Sequence, residues 1–405
     1  MFEDCVVVSA PGKVILTGEH AVVYGKTALA ASLSLRLFVN IQRTDVGQVT
    51  LDLKDFGTQK CWSCDELASN GFLEHSKSPR RPSPDEIKTL KKLCGMNSDK
   101  EVLTVEELAI ITFLFLMLSI CSDSSERFPS LSVEMKSQFP FAAGLGSSAA
   151  YSVCLSAGFL TFAKAVTPTS CKSNGGITLP VGVEALTTTS CYNESDLKLI
   201  NMWALEGERL IHGNPSGIDN TICTYGGCMS YTKGDIMPLP RVPSLRILLI
   251  DTKVPRSTKR LVAGVRERYD KYPTIIGPVL DAIGNLSDKF RTLLYQLADG
   301  ESDDESRDLK LSLFSELETL WDINQHLLQA IGVSHASIND ICSITAKYGL
   351  YSKLTGGGGG GSVIALINQT VSDDDISLVQ SSLTEKGYGS QEAILGGYGV
   401  LLHSV

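Results

Sequence analysis

Apolar and polar residues alternate over residues 131–136, with Leu131, Val133 and Met135 set between Ser132, Glu134 and Lys136. A period of two predicts a strand with one buried face, leading here into a turn at Gly144. Cys5 to Ser9 and Val14 to Leu16 read as two strands joined by a turn at Pro11-Gly12. Leu29 to Ile41 is strand-like, and Leu51, Leu53 and Phe56 suggest an edge strand. Thr104 to Cys121 predicts a helix packed on both sides, and Asp196 to Gly213 another helix, followed by a tight loop from Gly213 to Asn220. Ile247 to Ile250 predicts a strand opening a second sheet region. Leu311 to Ile331 and Ser337 to Tyr348 are amphipathic helices, each followed by a glycine (Gly332, Gly349) suited to a left-handed cap. Val363 to Ile367 predicts a further strand. Ser76 to Glu86 reads as an exposed loop, Thr167 to Ser195 as a long irregular insertion, and Glu301 to Asp308 as an acidic surface linker. No internal repeat is found. Strands and helices without steady βαβα alternation indicate an α+β fold with mixed sheets.

A chain of 405 residues is long enough for two domains and a substantial core. Its 43% hydrophobic and 20% charged residues are ordinary for a globular enzyme. The formal charge of −9 argues against sequence-independent nucleic-acid binding, which needs a basic surface. Leu108 to Cys121 is the most apolar run and is too short to span a bilayer. Residues 1–8 have neither a basic nor an apolar leader region, and the C-terminal residues carry no prenylation box or peroxisomal tripeptide. A cytoplasmic location is expected, with a peroxisomal fraction left open. The eleven cysteines are scattered, and Cys61 and Cys64 form one isolated C-x-x-C. They are expected to be reduced and mostly buried.

Three separated stretches suggest one phosphate-handling site. They are Pro11 to His20, Gly144 to Ala150, and Lys353-Leu354-Thr355 followed by Gly356 to Gly361. In the second, Gly144-Leu145-Gly146-Ser147-Ser148 opens a helix, where free N–H groups and the macrodipole favour an anion. Gly144-x-Gly146-x-x-Ala149 formally fits a dinucleotide fingerprint, but residues 163–169 lack the acid that would hold the ribose. A Walker lysine is also absent. A phosphate loop of a third type remains, in which a serine hydroxyl can ligate magnesium; a helix start built from small residues for packing is the alternative.

On the 196–213 helix, Glu208 shares a stripe with Leu197, Ala204 and Ile211, and Glu206 is turned about 140° or more away. A carboxylate on the core side needs a metal or a basic partner, and both readings stay open. Asp219, in a rigid Gly-Asn-Pro-Ser-Gly turn, is a candidate base or an Asx-type turn brace. Lys13 is placed to lie near it, where a cation would assist an acceptor hydroxyl. His212 and His335 are read as structural. Six successive glycines suggest close approach to a ligand or facing domain, with a flexible hinge as the alternative.

These motifs, in this order, resemble those of the GHMP kinases. Ala10 to Gly25, the loop Gly213 to Asn220, Thr252 to Arg256, and Asn324-Gln325-His326 resemble the branch of that family acting on mevalonate. The resemblance runs nearly end to end. It implies an N-terminal domain like ribosomal protein S5 domain 2 over 1–230 and a ferredoxin-like domain over 231–405, with the active site in the cleft between them. It also implies phosphoryl transfer from ATP, with Mg2+, to the primary hydroxyl of (R)-mevalonate, in isoprenoid and sterol synthesis. Asp219 would be the base and Lys13 its electrostatic partner, with Ser148 and Glu208 as metal ligands. Ala142, Ala143, Gly144, Leu145, Gly146, Ser147 and Ser148 would form the nucleotide loop, with Lys13, Asp55 and Ser137 also touching nucleotide. Lys13, Glu19, His20, Asp219, Arg256 and Thr258 would line the substrate. The family is commonly dimeric and inhibited by isoprenoid diphosphates competing with ATP. Two departures stand out: Phe141-Ala142 replaces Pro-Gly, and Gly357 and Ser362 replace Ala and Cys.

Overall fold

The computed structural model describes residues 3–69, 78–121, 128–141, 143–170, 188–240, 242–299, 307–368 and 370–404. Its first half contains β1 (Cys5–Thr17), β2 (Ala28–Arg43), β3 (Gln48–Leu53), β4 (Thr58–Ser63), α1 (Cys64–Ser69), α2 (Pro84–Leu93), α3 (Val105–Cys121), β5 (Leu131–Ser137) and α4 (Ser147–Phe162). It continues with β6 (Thr169–Ser170), β7 (Thr188–Cys191), α5 (Glu194–His212), α6 (Ile218–Tyr225), β8 (Cys228–Thr232) and β9 (Asp235–Pro238). The second half contains β10 (Leu245–Asp251), α7 (Thr258–Lys271), α8 (Pro273–Asp299), α9 (Arg307–Ala330), α10 (Ala336–Ala346), β11 (Ser352–Leu354), β12 (Ser362–Leu366), α11 (Asp373–Glu385), β13 (Gly389–Leu395) and β14 (Leu401–Ser404).

Strand pairing runs in the order β11-β12-β10-β13-β2-β1-β14-β7-β6, with β3, β4, β5, β8 and β9 attached through β2. The two halves of this sheet meet at a single pair, Leu395 opposite Leu33. Helices α3 and α4 are buried on nearly all sides, as expected of helices apolar around their circumference. A second apolar cluster, including Leu248, Ile250, Ile338 and Val363, forms the core beneath the C-terminal strands. Among the described residues, no helix is long and apolar enough to cross a membrane.

The strand sheets extend beyond the expected boundary at residue 230. Strand β8 pairs with β2, β9 with β8, and β14 returns to pair with β1 in the first half. The expected turn at Pro11-Gly12 is instead an irregularity inside one continuous strand, with a register shift between Pro11 and Lys13. Between these pairs β1 advances two residues while β2 advances four, so the irregularity shifts the register without ending β1. Helix α2 begins within the loop expected at Ser76 to Glu86, where Ser83 and Glu86 form a reciprocal capping box. The loop expected to run to Asn220 gives way to α6 at Ile218. Most of the insertion expected over Thr167 to Ser195, and of the acidic segment at 301–308, lies outside the described residues. Gly332 and Gly349 do have left-handed backbone after α9 and α10. Nine described cysteines are free thiols, whereas Cys191, at the end of the outlying strand β7, is disulfide-bonded and corrects the expectation that all are reduced.

Candidate active site

Lys13, just after the register shift between β1 and β2, lines a cavity of about 700 Å³ between the two halves. Its backbone N–H donates to the Leu145 carbonyl at 2.8 Å, which fixes the first motif to the phosphate loop. Its ammonium lies 3.0 Å from Asp219 Oδ1. Asp219 stands in the first turn of α6 with its side chain 38% exposed, where the helix N-terminus favours a carboxylate. Gly146 has φ +72, and a Cβ there would stand 2.7 Å from Lys13 Cγ. The glycine therefore serves both the helix entry and the lysine's stem.

Ser147 and Ser148 open α4 and line the same cavity. Ser148 Oγ lies 3.0 Å from His212 Nε2. Glu208, one turn before His212 on α5, is buried. Burial, and then the charge of Asp219, push its carboxyl up to about 8, against the opposing influence of the Ser148 hydroxyl and Lys13. Its Oε1 finds no hydrogen-bond partner, and among the described residues no basic side chain forms an ion pair with it. A second cavity of about 100 Å³ lies between Glu208, His212 and Asn220.

Arg256 and Thr258 reach the cavity from the loop after β10 and the start of α7. Arg256 Nη1 donates toward Thr258 Oγ1 at 3.4 Å. Burial lowers the guanidinium's pKa, with Asp219 acting in the opposite direction. Any Cβ on Gly144 would overlap Arg256 Nη2, and one on Gly357 would meet Thr258 Oγ1 at 2.7 Å and Arg256 Nη1 at 2.8 Å. Glycine at 357, where the family commonly has alanine, gives these two side chains that room. The other departure, Ser362, donates to the Ala143 carbonyl at 3.0 Å and ties the third motif to the phosphate loop. Thr355 Oγ1 binds both backbone groups of Ile15, accepting from N–H at 2.8 Å and donating to C=O at 3.0 Å.

Thus Lys13, Gly144, Gly146, Ser147, Ser148, Asp219, Arg256, Thr258 and His20 all border one cavity. Leu145 is buried beneath the loop, and Ala143 is held from its carbonyl. Ala142 lies outside the described residues. Asp55 Oδ2 accepts from the Ser137 N–H at 2.8 Å, but neither residue lines the cavity. Glu19 borders it without offering its carboxylate. Its side chain is fully buried, Oε1 taken by Lys353 Nζ and Oε2 by Asn324 Nδ2 at 3.2 Å. Glu19 therefore lines the cavity, as expected, while its carboxylate is engaged by the second half of the chain.

Glu206, expected to face away from the core, is also buried and pairs with Arg209, because α5 is packed by α3, α4 and α6 rather than along one stripe. His335 caps α10 through Ser337. His212, read as structural, instead faces the cavity; its spacing of four from Glu208 was the available signal. Lys353, which opens the third motif, is buried away from the cavity, a placement that apolar periodicity does not reveal.

A cation beside an exposed acid, next to a helix that opens with glycines and serines, defines a small-molecule kinase of the GHMP type. Residues 307–389 match the family described as GHMP kinases C terminal. The chain belongs to the mevalonate kinases. It is 41% identical to human mevalonate kinase, covering 100% of this chain and 96% of that protein. It is 37% identical to mevalonate kinase of Dictyostelium discoideum, covering 99% and 97%. A solved structure of L. major mevalonate kinase in complex with R-mevalonate shares the fold at TM-score 0.66 and 20% identity, covering 96% of each chain. Lactococcus lactis galactokinase complexed with galactose does so at 0.59 and 14%, covering 98% and 95%.

Proposed function

We propose that this protein transfers the γ-phosphoryl group of ATP to the primary hydroxyl of (R)-mevalonate, giving 5-phosphomevalonate and ADP for isoprenoid and sterol synthesis. The observation that carries the reading is the 3.0 Å Lys13–Asp219 pair facing the Gly144–Ser148 turn across one cavity. Asp219 accepts the hydroxyl proton, and Lys13 holds the carboxylate in place and offsets charge on the group in transit. The N-terminus of α4 receives phosphate oxygens. Arg256, with Thr258 beside it, is suited to the substrate carboxylate, since a guanidinium can bind it in two places.

Glu208 and Ser148 fit a Mg2+ ion: both offer oxygen, and Glu208 Oε1 is buried without a partner. No cluster of three or more His, Cys, Asp or Glu among the described residues could hold a metal, which suits an ion completed by nucleotide phosphates and water. When bound, the ion neutralises phosphate charge. The reading also includes homodimerisation, inhibition by isoprenoid diphosphates and a cytoplasmic location, all resting on the family resemblance.

The test is an enzyme-linked ADP-release assay with and without mevalonate. Release that depends on mevalonate supports the reading, and release only with galactose or phosphomevalonate assigns another kinase of the same fold. Absence of release with every acceptor would leave a catalytically silent sensor, although Lys13, Ser148, Glu208 and Asp219 are all retained.

A further inference from the structure

His20 has φ 60 and ψ −40, outside the basins open to a residue with a Cβ. Such a conformation costs about 1–3 kcal/mol and persists only where its surroundings impose it. His20 also borders the cavity, and its Nδ1 is buried without a hydrogen-bond partner. The ring's other nitrogen, Nε2, lies 2.9 Å from the Gly357 carbonyl.

The residue just before it is Glu19. Lys353 Nζ, fully buried on β11, donates to Glu19 Oε1 at 2.5 Å and to the Leu354 carbonyl at 2.6 Å, and lies 5.9 Å from the Trp321 ring centroid. Asn324 of α9 completes the carboxylate's contacts. A lysine and a glutamate both removed from water are a poor device for stability alone. Desolvation commonly outweighs their attraction, and apolar replacements are often as stable.

We infer that the Lys353–Glu19 pair, completed by Asn324, is a positioning device that holds His20 in its strained pose against the substrate end of the cavity. The inference rests on the proposed mevalonate reading. The second half of the chain supplies Lys353, Asn324 and Gly357, and the first half supplies Glu19 and His20. His20 thus takes its place only when both halves are docked. Lys353 and Asn324 do not border the cavity and the Glu19 carboxylate is taken by them, so the three act through His20.

The experiment compares wild type, Lys353→Met, the double variant Glu19→Gln/Lys353→Met, and Asn324→Ala, each by melting temperature and by separate KM values for mevalonate and ATP. Wild type must first turn over mevalonate; failure there removes the functional reading, not this inference. The double variant leaves no unpaired buried charge and is expected to melt near wild type. Its mevalonate KM is expected to rise about tenfold or more, with the ATP KM within about twofold. Asn324→Ala should shift the mevalonate KM in the same direction by a smaller factor, and stands in if the double variant does not fold. Wild-type KM values in the folded variants would overturn the inference. The same variants in a His20→Ala background should cause no further loss of mevalonate affinity, and fully additive losses would also overturn it.

Discussion

At the scale of the residue, Asp219 combines exposure toward the cavity with a lysine at 3.0 Å, which suits its proposed role as base. Asp219→Asn is expected to lower turnover about 10²-fold or more while ATP binding, followed by nucleotide fluorescence, persists. Glu208→Gln should raise the magnesium concentration needed for half-maximal rate, and an unchanged titration would assign that carboxyl to packing. His403 lies far from this chemistry. Its Nε2 is 2.7 Å from Ser9 Oγ, and burial, then Arg36, lower it to about 4. Because the folded form resists a proton that the unfolded form takes up near pH 6.5, stability is full above that value. It falls as pH drops from about 6.5 toward about 4, by on the order of 2–3 kcal/mol. His403→Gln should flatten the decline in melting temperature across that window.

At the scale of the element, the most consequential pieces are a bulged strand and a short helix. Gly146→Ala would press a Cβ against Lys13 on left-handed backbone. A displaced catalytic group can cost on the order of 10²-fold, so turnover should fall to that degree with the melting temperature changed far less. Much at this scale was legible in the sequence. The 131–136 alternation and the largely apolar 108–121 run each give one unmistakable pattern, and glycines mark where α9 and α10 end. Helix α6 was hidden because Gly213 to Gly217 is strong turn chemistry and only eight helical residues follow. The continuity of β1 was hidden too, since Pro11-Gly12 signals a turn by itself and a bulge only in the company of β2. Burial of Glu206 came from neighbours that helical periodicity does not contain.

At the scale of the whole molecule, the proposed catalytic groups gather because the halves are laced together. Thr355 holds Ile15, Ser362 holds Ala143, and Lys353 holds Glu19. The motifs told that these segments belong together; which side chains join them depended on three-dimensional contact alone. The lacing includes the chain's last strand. Arg36, buried and lowered by desolvation to about 10, donates to the carbonyls of Ser9, Tyr398 and Gly399 and to the Ser9 hydroxyl. The Val400 N–H reaches the Thr224 carbonyl on α6, the helix that presents Asp219. Deleting residues 401–405 should therefore leave β1 at an open edge and yield protein that limited proteolysis digests rapidly, with activity lost.

Because β14 sits between β1 and β7, an early strand stays without one neighbour until residues 401–404 have also been made. The amino-terminal half cannot complete its sheet before those residues leave the ribosome. Through that interval the exposed flank of β1 depends on chaperones or on speed.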